Sequence, residues 1–83
     1  MRKAERAFYS LIKLHEDWAM DRGISSDMVD RALLEIANKS IKNRNYRKQL
    51  FSYFLKNREK FLYYGQACDF GFSERQKRKI MMI

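Results

Sequence analysis

The chain has no proline, and its only glycines are Gly23, Gly65 and Gly71. So few breakers leave long stretches with nothing to interrupt a helix, and alternation with a period of two is absent from all of them. The expectation is an all-α fold: a small bundle of three main helices plus a short C-terminal one, forming a single domain over 1–83. The spacing of apolar residues predicts helices at about 3–22, 27–39, 46–64 and 74–82.

The first of these carries the strongest signal. Residues set about 100° apart gather Ala4, Ala7, Phe8, Leu11, Ile12, Leu14, Trp18 and Ala19 on one side, with Glu5, Arg6, Lys13, Glu16 and Asp17 opposite. Gly23 is placed to stop it, because a C′ residue needs positive φ. Ser25, Ser26 and Asp27 offer caps for the second helix, in which Val29, Ala32, Leu33, Ile36 and Ala37 recur at helical spacing. The polar run NKSIKNRN reads as a loop, with Asn45 a candidate cap for the third helix.

Seven of the twelve aromatic residues fall in 46–64. Their arc is about 200° wide on the ideal wheel, so this helix is expected at the centre, with the first two laid across it. After Gly65 the connector QACDFGF is expected to turn at Asp69 and Gly71 while Phe70 and Phe72 pin it to the core. Ser73 to Gln76 fits the S-x-x-Q capping box and predicts the start of the last helix.

Cys68 is the only cysteine, which excludes a disulfide framework and suits a reducing compartment. The opening MRKAERAFYSLIKLHEDW mixes acids with bases and lacks the apolar run of a signal peptide. No stretch approaches the roughly 18 apolar residues of a membrane span. A soluble, cytoplasmic protein with no membrane partner is expected.

Chemistry is sparse. One His and one Cys cannot make a structural zinc site, which needs four ligands, and no cofactor motif occurs. The string Asp69-Phe70-Gly71 matches a kinase motif but has none of the motif's companions, so it reads as a turn. A Cys68–His15 nucleophile pair has no family signature around it. The chain is not expected to be an enzyme. His15 lies inside the first helix's apolar stripe, where a histidine bonded to a carbonyl or a tyrosine hydroxyl is expected; a pH-sensitive contact is the alternative.

Charge is the remaining signal. Of the formal +8, residues 1–35 contribute −1 and residues 36–83 contribute +9, with seven bases and no acid between Glu35 and Glu59. That sign excludes a DNA mimic and favours a polyanion. KSIKNRNYRKQLF, at 39–51, holds five of these bases together with three amides and a tyrosine. Read as a loop entering the third helix, it crowds cations at a helix N-terminus. The dipole disfavours them there, by about 0.3–1 kcal/mol each, so their presence asks for a reason.

A phosphate grip supplies one, with Lys39, Lys42, Arg44, Arg47 and Lys48 as its cations and Tyr46 stacking on a base. Asn43, Asn45 and Gln49 add groups for base edges or ribose hydroxyls. Arg75, Lys77, Arg78 and Lys79 make a second cluster. The expected function is regulatory nucleic-acid binding through phosphates, with RNA slightly favoured over DNA.

The alternative is a small inhibitor or adaptor for an acidic protein surface, anchored by Arg58, Tyr63, Tyr64, Met81 and Met82 with the terminal Ile83. Arg47 and Arg58 are expected on one line of the third helix, either snorkelling at a seam or facing a partner. A third reading pairs an exposed aromatic arc of that helix with its copy in a homodimer. A helix-turn-helix fits poorly, because the link at 38–45 reads as too long and has no glycine.

Overall fold

The computed structural model describes residues 2–82. Among them are five helices and no strand: α1 (Lys3–Ala19), α2 (Ser26–Lys42), α3 (Arg44–Lys56), α4 (Arg58–Tyr64) and α5 (Glu74–Met81). The first three pack pairwise, and α3 touches all four others, which makes it the central helix. The expected bundle with a short C-terminal helix is what the chain forms. No described helix is long and apolar enough to cross a membrane.

Aromatic rings fill the centre. Phe8 of α1 lies 4.8 Å from Tyr53 and 4.9 Å from Phe54, the second contact edge-on. Phe54 in turn meets Phe61 at 5.1 Å and Phe70 at 5.2 Å. Each such pair adds about 0.5–1.5 kcal/mol beyond area burial. Phe70 and Phe72 are buried although they lie in the connector, as the sequence predicts. Ser40 holds that connector: its hydroxyl, fully buried, donates to the Phe70 carbonyl at 2.6 Å. Gly71 follows at φ 81°, where a Cβ would lie 3.4 Å from Ile41, and its N–H bonds the Asp69 carboxylate. The predicted capping box at Ser73 and Gln76 is complete.

Three boundaries differ from the sequence reading. α1 ends at Ala19, because Asp21 rather than Gly23 takes the left-handed position that closes it. The Arg22 N–H reaches the Asp17 carbonyl and the Asp21 N–H reaches that of Trp18, the two bonds of a Schellman motif. Gly23 also has positive φ, two residues further on.

α2 continues to Lys42, so NKSIK is helical and the link to α3 is Asn43 alone. Asn43 closes α2 through its N–H and caps α3 through its side chain, which accepts from Tyr46 N–H at 3.0 Å. Asn45 is not the cap.

The third difference is a break at Asn57, which divides the helix predicted over 46–64. The Asn57 backbone N–H and side-chain amide both donate to the Tyr53 carbonyl, which satisfies the end of α3. α4 then turns so that Phe61 meets Phe54 and Phe72, and Tyr64 meets Phe8. A straight helix would have carried these rings past the core. The break therefore covers most of the wide arc: Tyr53, Phe54, Phe61 and Tyr64 are buried, Phe51 and Leu55 are half-buried, and Leu62 and Tyr63 stay exposed. Little of that arc is left as the exposed face a homodimer was expected to use.

Candidate nucleic-acid interface

The longer α2 changes what the opening cluster means. Lys39 and Lys42 occupy the last turn of α2, where the dipole favours a cation, rather than a loop before α3. Arg47 has a structural partner too. Its guanidinium donates to the Ser40 carbonyl at 3.0 Å and the Ile41 carbonyl at 3.1 Å, satisfying orphan groups at the end of α2. It sits at the helix seam and is not a spare phosphate contact. Arg44 and Lys48 are exposed on the first turns of α3. Gln49 accepts from the Ala4 N–H at 3.3 Å. Tyr46 is buried at 8 % exposure, so it cannot stack on a base.

A groove of about 930 Å³ lies where the start of α1 meets the end of α2. Lys3 and Arg6 enter it from α1; Arg31, Lys39 and Lys42 enter from α2, with Ser10, Asn38 and Asn43 among them and Tyr46 in its wall. Of the described residues lining it, Glu35 is the one acid, and it already pairs with Lys39 at 3.4 Å. The groove thus has a surplus of four positive charges.

Sequence reasoning missed Lys3, Arg6 and Arg31, because summing charge over 1–35 cancels them against acids that face elsewhere. Asp17, for example, pairs with Lys13 and Arg22 at the far end of α1. The signal that finds them is helical phase. Lys3, Arg6 and Ser10 share one edge of α1, while Arg31, Glu35, Asn38 and Lys42 share one stripe of α2.

The second cluster is split. Arg75, Arg78 and Lys79 line a shallow depression with Met82, whereas Lys77 faces Phe61 and Met81 and pairs with Glu74 at 3.6 Å. No residue is common to this depression and the basic groove. The residues of the alternative reading also divide. Arg58 opens α4, not the line of Arg47, and its guanidinium touches the Met82 sulfur. Tyr63, Met81 and Met82 are exposed, but Tyr64 is buried at 3 % and unavailable to a partner. Ile83 lies outside the described residues.

At the opposite end of α1 a second cleft, of about 400 Å³, is lined by His15, Trp18, Asp30, Tyr63 and Tyr64 among others. His15 Nδ1 pairs with the Tyr64 hydroxyl at 2.9 Å and Nε2 with that of Tyr63 at 3.4 Å. The tyrosine-bonded histidine expected from the sequence is present. Trp18 and Tyr63 pack near its ring, both tilted, with centroids at 5.6 and 5.3 Å. Burial pushes the Tyr64 phenol up, with Tyr63 adding to it. Cys68 lines a different depression, and burial and Asp30 push its thiol up, away from a reactive thiolate.

No family model, curated protein or solved structure matches this chain.

Proposed function

We propose that this protein is a regulatory nucleic-acid-binding protein that grips phosphates in the groove between α1 and α2. The observation that carries the reading is the convergence of Lys3, Arg6, Arg31, Lys39 and Lys42 against a single, already paired acid. Arg44 and Lys48 extend the positive surface onto α3. Ser10, Asn38 and Asn43 line the same groove and suit ribose hydroxyls, which favours RNA slightly over DNA.

Binding to a labelled 30-mer, as single- and double-stranded RNA and DNA at 50 and 200 mM salt, tests this. Five phosphate contacts imply a log–log salt slope near −3.5 for a single strand and about −4.5 for a duplex. No binding to any of the four at 50 mM salt rejects the proposal.

A second reading, an inhibitor or adaptor that docks on an acidic protein surface, draws on the exposed Tyr63, Met81 and Met82 with Arg58 beside Met82. It predicts no affinity for a bare polyanion, so the same titration separates the two.

A further inference from the structure

The basic groove holds something that charge alone does not require. The Tyr46 hydroxyl is buried with no hydrogen-bond partner among the described residues, and Tyr46 as a whole is 8 % exposed. Native proteins seldom leave such a group unpaired. Tyr46 lines the basic groove and also a smaller cavity of about 170 Å³ beside it; Ala7, Ser10, Glu35 and Lys39 belong to both walls. The Glu35–Lys39 pair, two largely exposed side chains 3.4 Å apart, shares both of these walls with Tyr46. A pair of that kind contributes little and exchanges partners readily. Glu35 is also close enough to push the Tyr46 phenol further up, after burial.

We infer that the groove is a receptor for the phosphorylated end of a nucleic-acid strand, with the Tyr46 hydroxyl and Lys39 holding the terminal phosphate. The inference rests on the polyanion reading above and names the ligand of that same groove. Two considerations favour an end over a strand's interior. The cations lie in two rows on facing helices, Lys3 and Arg6 on α1 and Arg31, Lys39 and Lys42 on α2.

Their surplus suits a phosphate monoester, which carries about −1.5 to −2 at neutral pH, better than a diester with a single charge. The orphan donor among the described residues belongs to a wall residue but is closed off from solvent. A ligand meets it only by displacing neighbouring side chains, which suits a projecting terminal phosphate better than the convex backbone of a duplex. On binding, the phosphate takes Lys39 from Glu35 and repels the Glu35 carboxylate. That clears the hydroxyl to donate to a phosphate oxygen. The cavity, at about 930 Å³, has room for a terminal nucleotide as well.

The test uses the full chain and an internally labelled single-stranded RNA 12-mer in three forms: 5′-phosphate, 3′-phosphate, and hydroxyl at both ends. Fluorescence anisotropy gives affinities for the wild type, Tyr46→Phe and Glu35→Gln, with circular dichroism confirming that each variant is folded. One phosphorylated form should bind the wild type about tenfold more tightly than the hydroxyl form. That preference should fall to about two- to threefold in Tyr46→Phe, the remainder being held by Lys39. It should rise about threefold in Glu35→Gln, a gain that a purely structural Glu35 would not give.

Equal binding of all three forms overturns end recognition and leaves the polyanion reading standing. Binding of none overturns both. A preference that survives intact in Tyr46→Phe overturns the role of the hydroxyl, and a phosphoserine peptide that competes as well as the phosphorylated RNA overturns the choice of nucleic acid.

Discussion

The two ends of the α1–α2 hairpin treat polar groups in opposite ways. At the aromatic end both nitrogens of His15 are engaged by tyrosine hydroxyls, and Trp18 and Tyr63 pack beside the ring. At the basic end Tyr46 has an unpaired hydroxyl, and of the five cations only Lys39 has an acid facing it in the groove. The first arrangement is internally complete and stabilises the fold. The second has unspent bonding capacity directed outward, which is what a binding site needs and a core does not. Antiparallel packing of one short hairpin produces both: Lys3 and Lys42 line the groove at one end, and Trp18 and Ser26 the cleft at the other.

The sharpest way to break this contrast is to reverse charge at the basic end. Lys3→Glu with Lys42→Glu should weaken oligonucleotide binding about 100-fold at 50 mM salt and reduce the salt slope by about 2, with the melting temperature unchanged. A fall in stability matching the loss of binding would mean that the basic end, too, is structural.

Alkaline titration asks whether buried phenols hold both ends together. Burial raises the Tyr46 and Tyr64 phenols, and Tyr53, beneath them in the core, is pushed up to about 12 by burial and then by Tyr9. A raised phenol favours the fold in its neutral form. Its contribution is complete below pH 10 and is lost as pH climbs through the folded value. For Tyr53 that is on the order of 2–3 kcal/mol. Phenolate absorbance and circular dichroism should therefore change together as pH rises from 10 to about 12. Titration at pH 10 with the helices intact would show these rings to be wet.

Smaller effects separate the supports of each end. Ser40→Ala strands the Phe70 carbonyl beneath the basic end and should cost about 1–3 kcal/mol in chemical denaturation. Tyr64→Phe removes the closer partner of His15 and should cost about 0.5–1.5 kcal/mol, while oligonucleotide affinity stays within twofold. Weaker binding in Tyr64→Phe would couple the ends and blur the distinction.

The stripe of Ala4, Phe8 and Leu11, the Ser73 cap and the buried Phe70 and Phe72 were all legible in the sequence. Each rests on local spacing or on a side chain too apolar to leave in water. The basic groove was half legible. Lys39 and Lys42 stand out in a run, but Lys3, Arg6 and Arg31 join them only through packing between helices that a sum over the chain does not describe. The helix boundaries at two asparagines were missed for one reason. Asn43 and Asn57 both interrupt helices by bonding nearby backbone, yet a polar amide announces neither where it will cap nor whether the helix resumes. The bend at Asn57 is decided by where Phe61 and Tyr64 find partners.

The aromatic connector has a consequence for how the chain is made. Phe54 packs against Phe70 and Phe72, and Ser40 bonds to the Phe70 carbonyl. A nascent chain that has just passed Tyr64 therefore lacks the rings that its central helix packs against and the acceptor that its buried serine needs. Domains in longer proteins fold as they leave the ribosome, N-terminal parts first. Here α1, α2 and α3 must wait for the connector, so the core closes only after Phe70 and Phe72 have emerged.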